Sequence, residues 1–141
     1  MEANIVYKDK YGRFDLFKKQ NYIEAHIEGA CNMTLINALQ DGLVELAAAF
    51  IDMPWGYVSL SPNVDAATQD GEDAILAMML ALMKKGCVID SYYLTSPLAI
   101  AQTKRVREGA NITSDFNLVL FNSPQAARNF AESYLEKVSS K

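Results

Sequence analysis

The sequence predicts an α/β fold built on a mixed β-sheet, and three observations carry that expectation. Residues 22–29, YIEAHIEG, alternate apolar and polar side chains with the two-residue period of a half-buried strand. Residues 35–50 place Leu35, Leu39, Leu43, Leu46 and Phe50 at the three- and four-residue spacing of an amphipathic helix. Beyond residue 54, short apolar segments alternate with helical stretches, which implies crossover connections and parallel pairing. Together they give a single domain over residues 1–141 with a sheet of about five strands. An N-terminal antiparallel hairpin comes first, three βα units follow, and about four helices flank the sheet.

The elements follow in order. RFDLF (13–17) reads as the first hairpin strand, KKQN (18–21) as its turn, and YIEAHIEG as the second strand, with Ile23, Ala25 and Ile27 on one face. Asn32 or Thr34 can cap the helix that follows, and Pro54 ends any continuation. WGYVSL (55–60) is short, aromatic and β-branched, as a buried strand should be. A polar loop, NVDAATQDGED, leads into a helix over 72–85 that is apolar almost all round and stops at Gly86. Such a helix must be covered on more than one side. CVIDSYYL (87–94) is the next strand, Pro97 opens a helix, FNLVLF (116–121) is the last strand, and Pro124 opens the last helix.

Bulk properties exclude several functions. Net charge is -4 and the pI is about 4.9, so no global field draws nucleic acid or anionic membrane. The longest apolar run, AILAMMLALM (74–83), is shorter than the roughly 20 residues that span a bilayer, so no membrane insertion is expected. MEANIVYKDKYGRFD has frequent charges and no apolar signal core, which points to the cytoplasm. Cys31 and Cys87 stand far apart without ligand spacing and read as reduced thiols, so neither a metal nor another cofactor is expected.

Three Ser-Pro pairs punctuate the chain, at 61–62, 96–97 and 123–124. Proline at the first helical position sacrifices no hydrogen bond, and the preceding serine can accept from an N–H one turn on. Ser96 and Ser123 therefore read as helix caps. Ser61 differs, because a long acidic loop separates it from its helix. Ser59, Ser61, Asp65 and Thr68 lie around that connection, at the carboxyl end of a strand where ligands and regulatory contacts gather in open α/β sheets.

The order of elements and the ending FNSPQAARNFAESYL, with Phe121, Ala126, Ala127 and Phe130, resemble the SpoIIAA-like family of the STAS superfamily (sulfate transporter and anti-sigma-factor antagonist). The resemblance covers residues 12–138 and implies a small mixed sheet flanked by helices, related to the lipid-carrying CRAL-TRIO folds. Phospho-switched antagonists of that family carry an Asp-Ser-Ser-Gly-like turn, where this chain reads SLSPNVDAATQDGED. No phosphorylation site is carried over to it.

His26, flanked on its strand face by Glu24 and Glu28, is the one constellation that could bind metal or move protons. No nucleophile is tied to it, and a solvated strand would look the same. No Gly-x-Ser-x-Gly elbow or Gly-rich phosphate loop occurs, so no catalytic residues are assigned. Lys104, Arg105 and Arg107 read as a solvated helix end. Met78, Met79, Leu82 and Tyr92 read as core, with a dimer surface or an apolar pocket as the alternatives.

The resulting expectation is a non-enzymatic, cytoplasmic regulatory or protein-interaction domain, homodimeric, recognising a protein partner through residues 59–71 and the helix that follows. The alternative is a carrier of a small apolar ligand or lipid in a pocket between sheet and helices.

Overall fold

The structure, a computed structural model, describes residues 2–139. Six strands form one sheet in the order of the chain: β1 (Ile5–Lys8), β2 (Gly12–Lys18), β3 (Tyr22–Gly29), β4 (Trp55–Leu60), β5 (Cys87–Tyr93) and β6 (Leu120–Phe121). The first three pair antiparallel and the rest parallel. The helices are α1 (Met33–Ala47), α2 (Gln69–Lys84), α3 (Pro97–Gly109) and α4 (Pro124–Ser139).

The caps follow the sequence. Asn32 accepts from the Leu35 N–H, Thr68 from Gly71, Ser96 from Ala99 and Ser123 from Ala126. Pro97 and Pro124 stand in the first turns of their helices, where a missing N–H is harmless. Two of the three Ser-Pro pairs are therefore helix starts. Ser61 is not a cap: its hydroxyl accepts from the Ile27 N–H at 3.0 Å and so joins β4 to β3.

Strand pleating divides the interior in two. On one face Phe14, Leu16, Ile23, Ala25, Ile27, Tyr57 and Tyr92 pack against α1, α2 and α3. On the other, Tyr22, Val58 and Leu60 meet Ala127, Ala131 and Leu135 of α4. Helix α2 is wedged among α1, α3 and β5, which supplies the cover its apolar surface requires. Its first turn is tight, since a side chain at Gly71 would overlap the carbonyl oxygen of Cys31. Helix α4 lies over β4, β5 and β6, and the same face of β1 and β2 carries exposed or half-exposed Val6, Lys8, Arg13 and Asp15.

Three features depart from the sequence reading. The sheet has six strands rather than five, because IVYK near the N-terminus pairs along β2. Most of the FNLVLF segment is not strand. Phe116–Leu118 is a 3₁₀ turn started by Asp115, whose carboxylate accepts from the Asn117 N–H, and only Leu120 and Phe121 join the sheet. The turn rolls Phe116 inward onto Tyr92, with ring centroids 5.6 Å apart. Finally, Arg107 does not belong to a solvated helix end: it is 2% exposed.

Candidate functional site

The β4–α2 connection is laid over the carboxyl end of the sheet and fastened on both flanks. Toward β3, the Gly29 N–H donates to Asn63 O at 3.2 Å and the Asp65 N–H to Gly29 O at 2.9 Å. Toward α3, Gln102 grips the backbone of Ala67, its Oε1 accepting at 2.7 Å and its Nε2 donating at 2.9 Å. Thr95 donates to Pro62 O at 2.6 Å, closing the remaining side. Such bonds give an exposed loop a defined shape, which a recognition surface needs and a mobile loop lacks.

The four residues singled out in this region divide into inside and outside. Ser59 and Ser61 are buried, their hydroxyls 2.9 Å apart, and they hold the strand ends together. Asp65 and Thr68 are exposed, and Thr68 caps α2 while donating to Asp70 at 2.5 Å. With exposed Asp70 and Asp73, the outward surface of loop and helix start is acidic. That placement also suits the positive end of the α2 dipole.

Beneath the loop lies a small, partly open pocket of about 70 Å³, lined by Met78, Met79 and Tyr92 together with Ser59, Ser61 and Gln102. Leu82 is buried elsewhere in the same core. A cavity near 150 Å³ holds a benzene, so this one has room for a smaller group and none for an acyl chain. Met78, Met79, Leu82 and Tyr92 are each 5% exposed or less, so none of them offers a surface to a second molecule. The large apolar residues that α2 does present outward are Leu80 and Met83.

On the opposite face stands a polar cluster that the sequence showed only in part. Glu24, 2% exposed, accepts from Arg128 Nε at 2.7 Å and Nη2 at 3.0 Å, and its Oε2 lies 2.7 Å from His26 Nε2. Burial pushes the Glu24 carboxyl up, but hydrogen bonds from Arg128 and His26 and the Arg128 charge outweigh it, holding the group below the usual carboxylate range. The bond to Glu24 raises Arg128 in turn. Burial also pushes the nearby Tyr22 hydroxyl up to about 12.

A second buried pair locks the region below α3. Arg107 donates to both oxygens of Asp90, at 2.7 and 3.1 Å, and to Ser114 O and Oγ at 3.0 and 2.8 Å. Tyr92 donates to the same Asp90 carboxylate at 2.8 Å. A buried charge requires such partners, and among the described residues no buried side-chain polar atom lacks one. Both thiols are free, and burial raises Cys31 and Cys87 to about 12, so each is a protonated, unreactive group near neutral pH.

The fold is found among known structures. The crystal structure of an anti-sigma factor antagonist from Mycobacterium paratuberculosis superimposes with a TM-score of 0.54 over 94% of this chain and 99% of that one, at 15% identity. This chain has the SpoIIAA-like fold. No protein-family model matches it, and no curated protein matches it in sequence.

Arg128 is the functional-looking residue that the sequence does not reveal. It sits between Ala127 and Asn129 in the opening of α4, with no charge pattern to distinguish it from a solvated helical arginine. The burial of Glu24 is equally hidden, because it arises from a helix that begins a hundred residues further along the chain.

Proposed function

We propose that this protein is a non-enzymatic regulatory domain of anti-sigma-factor-antagonist type, which acts in the cytoplasm by binding a protein partner. The observation that carries this reading is the likeness, over 94% of the chain, to a solved anti-sigma factor antagonist. The recognition surface is the β4–α2 loop with the start of α2: Asp65, Thr68, Asp70 and Asp73 face outward, while Ser59 and Ser61 hold the loop's root in place. An acidic, backbone-fastened surface fits a partner that presents basic side chains. Two free cysteines, Cys31 buried and Cys87 half-buried, suit a reducing compartment.

The partner binds as a rigid-body event, since the loop is already tied to Gly29, Thr95 and Gln102. Photo-crosslinking tests this surface. A photoreactive side chain at position 66 should form an adduct with a discrete protein, and one at position 133, on the exposed side of α4, should not. Adducts formed at 133 alone would remove the loop from the account.

The same reading includes a homodimer. Leu80 and Met83 stand a turn apart on α2, each 42% exposed, and Met83 shares a cleft with Val88, itself 44% exposed. A contact through these residues would hide apolar surface that the monomer leaves in water. Light scattering across a concentration series tests it, with M83E as the disrupting variant. The pocket beneath the loop is too small for a lipid, so nothing there favours carriage of an apolar ligand.

A further inference from the structure

We infer that the cleft between the end of β3 and the start of α4 binds an oxyanion, a carboxylate or phosphate group, and takes up a proton at His26 as it does so. The cleft encloses about 260 Å³ and is lined by His26, Glu28, Asn63, Tyr93 and Arg128, with Pro62 and Pro124 among its walls. This is just below the roughly 300 Å³ at which small-molecule pockets begin, so it suits a single charged group rather than a large ligand. Its Pro62 and Asn63 walls belong to the β4–α2 loop, but the anion it would hold does not depend on the partner reading.

The chemistry follows from how Glu24 uses its neighbours. A carboxylate only accepts, so His26 Nε2, 2.7 Å from Glu24 Oε2, carries a hydrogen in either charge state of the ring. The ring nitrogen left for a second partner is then Nδ1, on a side chain that is 39% exposed. Arg128 meets Glu24 edge-on through Nε and Nη2, and its Nη1 bonds to none of the described residues. A guanidinium oriented in this way keeps donors for a second oxyanion.

Charge decides when the cleft is receptive. With His26 neutral, Glu24 cancels Arg128, and the Nδ1 lone pair repels an anion. With His26 protonated, the added charge offsets Glu28 on the cleft wall as well, and Nδ1 becomes a donor. The other groups around the cluster are Asp15, opposite His26 on β2 and paired with Arg13, Glu28 on the cleft wall, and Tyr22 and Glu132 beside Arg128. Phe17 lies against the ring with centroids 4.8 Å apart, limiting its movement. Anion binding is therefore linked to uptake of a proton, and each pH unit within the titration range changes affinity by up to about tenfold.

The test uses the full chain and sulfate, which stays a dianion throughout the pH range. NMR titrations at pH 6 and pH 8, with ionic strength held by chloride, follow the His26 ring and the Arg128 Nε–H. Sulfate should move both signals and bind about tenfold or more tightly at the lower pH. H26N, which keeps a donor toward Glu24 but cannot titrate, should bind equally weakly at both. R128K should stay folded by its amide spectrum and bind less. N-acetyl-glutamate amide, titrated alongside, separates the sources: tighter binding than sulfate identifies a side-chain carboxylate, weaker binding a free phosphate-like anion. Equal affinity at both pH values in the parent, or an unchanged pH dependence in H26N, would overturn the inference.

Discussion

Arg128 holds both carboxylate oxygens of Glu24, at 2.7 and 3.0 Å, across 104 residues of chain. The contact ties the last helix to the third strand and keeps Glu24 ionised against a burial that favours its neutral form. Replacing Arg128 by alanine leaves that carboxylate with His26 as its remaining side-chain partner. Breaking a fully buried pair costs about 3–5 kcal/mol, and since Arg128 is partly exposed we expect about 2 kcal/mol in urea unfolding. E24Q should cost less, because the amide still accepts a hydrogen bond.

The same pair sets part of the pH dependence. The folded Glu24 carboxyl titrates below its ordinary value of 4.5, so its contribution is present above that value and is lost as pH falls through the lower folded one. Stability measured from pH 6 down to pH 3 should therefore fall less steeply in E24Q than in the parent. Parallel curves would show that Glu24 is not held below the ordinary range.

Burial, rather than charge, separates two arginines on α3. Arg107 is enclosed with Asp90, whereas Arg105 meets Glu72 at 2.8 Å on the surface. R107A should lose about 3 kcal/mol or more in denaturant unfolding, and R105A no more than about 1 kcal/mol. A similar loss in both would mean that Asp90 is rescued by water.

Two glycines make a steric contrast. Gly71 packs on the Cys31 carbonyl, which is backbone and cannot swing away, so G71A should lower the melting temperature by several degrees, about the effect of 1–2 kcal/mol. Gly109 meets only the Leu76 side chain, at 3.4 Å, near the end of α3. G109A should be neutral or stabilising by about 0.5 kcal/mol.

Gln102 latches Ala67 to α3, and Q102A should release that part of the loop without unfolding the core. Hydrogen exchange would report it. The Ala67 amide should lose protection while the Ile27 amide, bonded to Ser61, keeps its own.

Local chemistry made much of this fold legible. The alternation of Ile23, Ala25 and Ile27 and the caps Asn32, Ser96 and Ser123 depend on neighbours within a few residues, and the structure uses each of them that way. Features that depend on distant partners were not legible. IVYK is too short to stand out as a strand until β2 is beside it. FNLVLF has a strand's composition, yet Asp115 captures the Asn117 N–H and turns the chain first. Arg107 reads as solvated because its partner, Asp90, lies 17 residues away on a strand. At the proposed recognition surface, sequence located the loop but not which side chains face out, because that depends on Gly29 and Gln102 fastening its two sides.

The most direct test of the proposed function is the affinity of the crosslinked partner, once purified, for charge-reversed variants. D65K and D70K lie on the proposed surface, and E136K lies on the exposed side of α4. The account predicts that D65K and D70K each weaken binding by about tenfold or more, with E136K at the parent value. Parent affinity in both loop variants, with loss in E136K, would contradict it.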